Sequence, residues 1–302
     1  MGRNWAARGW RAARARGLGH PPAAFPSSTA DSLLRRTSLC EAYPTCAHVP
    51  RSQRPRIVCC VPDQIFADPR LAAIYDDIDG DRADLDHYEA IVDKLGARSV
   101  LDIGCGTGVL ACRLARRGVT MIGLDPAHAS LAVARAKAGA DPITWLLGHA
   151  TMLPSVVVDV VTMTGNVAQV FVRDEGWSAA LVGVRRVLRD DGHLVFETRD
   201  PSFRGWEEWT RDRSFSVSDT VAGGVEHWVE LTTVQLPLVS FRHSFRFLDS
   251  GDIVTSDSTL RFRDRDEIAA SLAAAGFAVE DVRDAPDRPG REFVFVARSI
   301  SK

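Results

Sequence analysis

The chain has 302 residues, room for one large domain or two small ones, and its 45% hydrophobic and 25% charged residues describe an ordinary globular protein. The net charge of −2 hides an asymmetry: residues 1–60 hold ten Arg, no Lys and two acids, Asp31 and Glu41, so the rest of the chain carries about −10. That balance disfavours nucleic acid as a partner of the body, because phosphates need a basic face, and no run reaches the ~18 apolar residues of a membrane helix.

Residues 1–60 are rich in Arg, Ala and Pro and show no sustained apolar period. They read as a disordered basic extension, with an organellar transit peptide or an RNA-binding arm as the alternatives. Four of the six cysteines (Cys40, Cys46, Cys59, Cys60) fall in this stretch. Cys105 and Cys112 alone cannot build a disulfide framework for the body, so a reducing, cytoplasmic setting is expected. The spacings match no zinc pattern, and no metal is expected.

Organised sequence begins near Ile65. In "DLDHYEAIVDKLG" the residues Leu85, Tyr88, Ile91, Val92 and Leu95 fall at helical spacing, with Gly96 as a stop. "SVLDIGCGTGVLACRLARRG" then runs a short strand, Val100–Ile103, into glycines at 104, 106 and 108. A helix from about Thr107 to Arg117 follows, closed by Gly118. "VTMIGLD" is a second strand ending at Asp125, and Pro126 opens another helix.

This unit predicts a nucleoside-binding crevice. Gly104, Gly106 and Gly108 let the main chain turn tightly and approach a ligand. The next helix aims unpaired N–H groups at that ligand, and Asp125, 17 residues past Gly108, can accept ribose hydroxyls. A dinucleotide fingerprint would need a glycine where Val109 stands. Asp102, just before the turn, would repel a pyrophosphate and suits a ligand bearing an ammonium group. A nicotinamide-dependent oxidoreductase is thereby disfavoured.

"VLDIGCGTG" and "IGLDPA" resemble the first two motifs of class I S-adenosylmethionine-dependent methyltransferases. The resemblance implies a Rossmann-like α/β fold: a doubly wound, mostly parallel seven-stranded sheet. It also implies that the turn (Asp102, Gly104, Cys105, Gly106, Gly108) wraps the cofactor's amino-acid moiety and that Asp125, with Pro126 behind it, meets the ribose. "ITWLLGHATMLP" looks like the third cofactor segment, with His149 where an acid is usual, and Ala150, Thr151 and Met152 around the adenine. Tyr75, in "AAIYDDID", is expected to close over the cofactor.

The apolar fourth strand, "VVVDVV", leads to Thr164, Gly165 and Asn166, where open α/β sheets bind ligands and where the family places the transferable methyl. This segment is not the Asn-Pro-Pro-Tyr type, so base methylation loses weight. A helix, a turn at Asp191–Gly192 and a fifth strand, Leu194–Thr198, come next.

From residue 201 to 263 the pattern alternates apolar and polar over several strands, with a hairpin turn near Ser250–Gly251. It predicts an antiparallel insertion placed as a substrate lid between the fifth strand and the last helix. Trp206, Trp209, His227, Trp228, Arg242 and His243 are its candidates for acceptor contact, with His243 or His227 as general base. The expected organisation is a core over 61–200, the insertion over 201–263, and a final helix and strands over 264–302. The expected function is methyl transfer from S-adenosyl-L-methionine to a small molecule by a monomer or homodimer. The alternatives are an RNA methyltransferase using the basic arm, or a non-catalytic cofactor-binding subunit.

Overall fold

Short apolar runs alternating with helices or turns bury both faces as interior parallel strands, and a fifth, less buried run closes the sheet's edge. The structure, a computed structural model, describes residues 62–300 and places them so; the readings for residues 1–60 lie outside the described residues. β1 (Ser99–Ile103), β2 (Thr120–Asp125), β3 (Thr144–Leu147), β4 (Val158–Met163) and β5 (Leu188–Arg199) run parallel. β10 (Phe277–Asp284) and β11 (Glu292–Ser299) complete a seven-stranded sheet in the order β10-β11-β5-β4-β1-β2-β3, with β11 antiparallel to both neighbours. The chain reverses its winding between β1 and β4, and there the strands' carboxyl ends open a crevice.

The helices cover the two faces by their apolar stripes. α3 (Asp86–Lys94) and α4 (Val109–Arg116) bury Tyr88, Ile91, Val92, Leu110 and Leu114 against Val100, Val160 and Val195. α6 (Asp174–Val187) buries Trp177, Leu181 and Val184 against Leu101, Val161 and Phe196. Successive strand residues thus serve opposite faces, and each such apolar side chain contributes roughly 1.5–3 kcal/mol on burial. α8 (Arg265–Ala274), capped by the Asp264 carboxylate at Glu267 N–H (2.8 Å), ends before Gly276 in the left-handed region.

One boundary differs from the sequence reading. Val158 pairs with Leu188 while Val160 pairs with His193, so residues 189–192 bulge out within β5 instead of separating a helix from a strand. Asp191, at φ 58°, carries the reversal.

β6 (Ser216–Thr220), β7 (Gly223–Gln235), β8 (Leu238–Phe247) and β9 (Ile253–Arg261) form a separate antiparallel sheet inserted between β5 and α8. Gly251, φ 75°, turns β8 into β9. This sheet is fastened as a roof. At one end Val225, Phe245 and Phe247 pack on Ile65 of α1 (Gln64–Ala67) and on Leu71 and Ile74 of α2 (Pro69–Asp79). At the other, Val229, Val239, Phe241 and Leu260 enclose Trp206 and Phe262. Polar pins add to this: Ile65 N–H donates to Ser256 Oγ (2.9 Å), Ser258 Oγ to Asp63 (2.6 Å) and Val221 N–H to Asp77 (2.9 Å). Arg263 holds the Phe171 carbonyl at 2.8 Å.

Candidate functional site

The glycine turn joins β1 to α4, and all three of its glycines sit at positive φ: 71°, 54° and 78° for Gly104, Gly106 and Gly108. Their surroundings differ. A Cβ on Gly104 would lie 2.4 Å from Val167 Cγ2, and one on Gly108 would lie 2.4 Å from Trp145 Cη2. These two positions are emptied for neighbouring side chains. Around Gly106 a Cβ would meet nothing within 4 Å, so its bare backbone faces open space. The sequence reading assigned all three glycines the same task; the structure divides it.

The turn is held from below by hydrogen bonds that the strands dictate. Gly104 N–H (2.8 Å) and Cys105 N–H (3.2 Å) donate to the Leu124 carbonyl on β2. Asp125, the last residue of β2, takes Gly106 N–H at 2.8 Å and Ala127 N–H at 2.7 Å on its two oxygens. Thr107 Oγ1 donates to Asp76 at 2.6 Å, and the Lys137 ammonium pairs with the same carboxylate. Cys105 is buried, and burial raises its thiol well above the usual range, so it offers no thiolate.

Asp102 lies under the turn, 1% exposed, opposite Gly123 on β2 and Thr162 on β4. Thr162 Oγ1 donates to it at 2.7 Å. Burial raises its carboxyl to about 7 against the lowering effect of that hydroxyl, and Asp125 adds to the rise. Asp125 is also raised by burial, with its two backbone donors opposing. A carboxylate offers about four acceptor positions, so Asp125 retains capacity for two hydroxyls after its backbone bonds. A vicinal diol beside Asp125 and a backbone-hugging chain over Gly106 are what this cradle fits.

Pro126 follows directly, ahead of α5 (His128–Ala136). The segment after β3 places His149 half-buried and Ala150 buried, while Thr151 is exposed and Met152 is 59% exposed. Burial lowers the His149 imidazole, which favours its neutral form. Leu153 packs in the core beneath α6, so the Met152–Leu153 pair splits between surface and core. Tyr75, on α2, packs against Phe66 with ring centroids 5.6 Å apart; burial and then the nearby Asp79 raise its phenol, with Arg82 opposing.

Past β4, Thr164 is half-buried and Gly165 exposed, but Asn166, at φ 62°, turns inward. Its main-chain N–H donates to Glu197 Oε1 at 3.1 Å and its Nδ2 to Glu292 Oε1 at 3.3 Å.

Strand alternation sorts the candidates on the roof sheet. His227 and His243 face inward, 8% and 3% exposed, with His227 Nε2 and His243 Nδ1 2.9 Å apart. His227 stacks on Phe245 at 4.6 Å. Burial lowers His227 to about 4. His243 is held well below the usual imidazole range by burial, then by the charges of His227 and Arg199. One proton is therefore shared across the contact, and the pair is neutral near pH 7. Trp228 and Arg242 lie on the opposite face: Trp228, buried under the Arg211 guanidinium 4.4 Å from its ring centroid, donates from Nε1 to Glu230, and the exposed Arg242 pairs with Asp257. Trp206 is core, while Trp209 lies 4.5 Å from the Phe241 ring with the Arg199 guanidinium 5.6 Å from its centroid.

Several residues here escaped the sequence reading. Glu197 and Arg199 lie at the end of β5, and Gln169 lies beyond β4. In the structure Gln169 accepts from Arg199 at 2.9 Å and donates to the Arg261 carbonyl of β9 at 3.4 Å, joining core to roof. Their common signal is position: all lie at or beyond the carboxyl ends of parallel strands. Among the described residues no group of three or more His, Cys, Asp or Glu is arranged to hold a metal ion, and no helix is long and apolar enough to cross a membrane.

Comparison with known proteins gives this geometry a context. A family model described as a methyltransferase domain matches residues 100–192, from β1 into β5. A protein of Geobacillus sp. named as a methyltransferase is 28% identical over 68% of this chain and 86% of its own length. An uncharacterized methyltransferase of Mycobacterium tuberculosis is 37% identical over 36% of this chain, which spans 44% of that relative. Among solved structures, an S-adenosylmethionine-dependent methyltransferase from Clostridium acetobutylicum superposes with a TM-score of 0.64 at 16% identity, covering 77% of this chain and 98% of the other. An amino pentose methyltransferase from Micromonospora echinaspora, bound to S-adenosylmethionine, superposes with a TM-score of 0.55 at 22% identity, over 72% and 92%. At these identities the two structures share the fold.

Proposed function

We propose that this chain, whose residues 100–192 match a methyltransferase-domain model, is a class I S-adenosylmethionine-dependent methyltransferase that binds its cofactor across β1 and β2 and methylates a small molecule held beneath the roof sheet. The observation that carries this is the Gly106 main chain facing open space while the Asp125 carboxylate, bonded to its N–H, keeps acceptor positions to spare. The cofactor supplies a methyl carbon already activated by its sulfonium.

What the protein's own residues do is position and exclude. Asp125 accepts the ribose hydroxyls, and the Gly106 backbone admits the amino-acid chain. Asp102 acts from beneath, adding negative potential under an ammonium group. His149 and Ala150 border the adenine side and Thr164 and Gly165 the methyl side. Tyr75 closes the crevice from α2. The neutral His227–His243 pair takes the acceptor's proton, and the resulting charge is shared over two rings joined by one hydrogen bond. A small acceptor is favoured because the roof is pinned to α1, α2 and the segment after β4, and because the body is acidic.

Calorimetric titration with S-adenosylmethionine tests the reading, on wild type and Asp125→Ala. Wild type binds; the variant loses ~2 kcal/mol or more of binding free energy, since truncation removes charge-assisted hydrogen bonds. Absence of wild-type binding, or equal affinity of the two proteins, overturns the assignment.

A further inference from the structure

A cluster of polar side chains, nearly all buried, sits at the carboxyl ends of β4, β5 and the start of β11, on the α3 side of the sheet. Tyr88 Oη donates to Glu197 Oε2 at 2.5 Å. Glu197 Oε1 takes the main-chain N–H of Asn166. Arg288 donates to Glu292 Oε1 at 2.7 Å and stands 3.9 Å from Glu197 Oε2. Tyr88, Asn166, Glu197 and Glu292 are each no more than 3% exposed. A buried charged network is a poor source of stability, since desolvation offsets most of its Coulomb gain. Its use lies in what it fixes.

What it fixes is the segment after β4. Asn166 holds a left-handed backbone, φ 62° and ψ 28°, that a non-glycine residue keeps only when its surroundings impose it. The next residue, Val167, presses against Gly104, so closely that a Cβ there would lie 2.4 Å from its Cγ2. Glu197 thus holds the Asn166 main chain while Glu292 holds its side-chain amide, Asn166 sets Val167, and Val167 seats the first glycine of the cofactor turn. We propose that Glu197 is a positioning residue for cofactor binding, acting through Asn166 and Val167 without touching the ligand. This rests on the methyltransferase reading above.

The test uses S-adenosylhomocysteine as probe, with affinity and thermal unfolding measured on four proteins. Wild type must bind; if it does not, the methyltransferase reading itself fails. Glu197→Ala removes the acceptor for Asn166 N–H and weakens binding about tenfold or more, the scale of one hydrogen bond to a charged group. Glu197→Gln keeps an amide oxygen for that N–H and restores most of the affinity. Tyr88→Phe removes the hydroxyl bonded to the other oxygen of Glu197 and leaves Asn166 held, so it lowers the melting temperature but not the affinity. Hydrogen exchange adds a local readout: amides of 166–170 lose protection in Glu197→Ala and keep it in Tyr88→Phe. If Tyr88→Phe and Glu197→Ala lose affinity alike, or Glu197→Ala binds as wild type, Glu197 is only a stability residue and the proposal falls. If Glu197→Ala does not fold, Glu197→Met, similar in volume and lacking the acceptor, takes its place with the same two outcomes.

Discussion

The division of labour within the glycine turn can be tested by a single methyl group. In Gly106→Ala the added Cβ enters space with no protein atom within 4 Å. The folded protein pays only for holding alanine at φ 54°, roughly 1–2 kcal/mol for a left-handed L-residue. Gly108→Ala carries the same backbone penalty at φ 78° and also drives a methyl to within 2.4 Å of Trp145 Cη2 and 3.0 Å of Ala134 Cβ. Overpacking of that kind adds ~1–3 kcal/mol. Thermal unfolding of the free proteins should therefore rank wild type above Gly106→Ala and Gly106→Ala above Gly108→Ala. Calorimetry with S-adenosylhomocysteine should reorder them. Gly106→Ala, the milder change in the free protein, loses about tenfold or more in affinity because its methyl occupies ligand space. The loss survives correction for stability, since titration is done where all variants are folded. Wild-type affinity in Gly106→Ala would refute the idea that the ligand lies against this backbone. A Gly106→Ala protein as unstable as Gly108→Ala would refute the packing argument.

Two further expectations follow from buried titratable groups. A carboxyl raised from 3.8 to about 7, as burial does to Asp102, binds a proton in the folded state that the unfolded chain lacks between those values. Folding stability therefore falls as pH rises from about 4 to 7, by at most about 4 kcal/mol for this residue. Asp102→Asn keeps an oxygen for the Thr162 hydroxyl, so denaturant melts should show it more stabilising at pH 8 than at pH 5; an equal difference at both pH values would show Asp102 ionised throughout. The histidine pair behaves oppositely. Imidazoles lowered to about 4 in His227 and well below the usual range in His243 destabilise the fold as pH drops below 6.5, where the unfolded state gains the protons. The neutral pair also leaves the turnover profile flat from pH 8 down to about 5. Once an acceptor is found, His243→Phe should lower kcat by about 100-fold with cofactor affinity unchanged, and undiminished kcat would remove the pair from the reaction.

What could be read from the chain alone were features written within a dozen or so residues. Gly104, Gly106 and Gly108 announce a tight turn, Gly118 and Gly276 close helices, and the alternation from 225 to 247 announces an antiparallel sheet, because each depends on local backbone or face preference. The doubly wound, mostly parallel seven-stranded sheet came from resemblance and agrees with the pairing found. Illegible were the relations between distant segments. Nothing near Gly108 states that Trp145 fills the space beside it, nor does anything near Glu197 state that its carboxylate holds the main chain of Asn166. Asn166 stands where a methyl-side contact is expected, and its N–H and Nδ2 bond inward to Glu197 and Glu292. Such residues are legible in principle by one signal. An acid ending an apolar strand, as Glu197 does in β5, must find a partner once its strand is buried, and at the carboxyl end of a parallel strand the nearest partners are the loops that build the binding crevice. The polar residues that end interior strands therefore mark, within the amino-acid sequence itself, which loops the core will hold still.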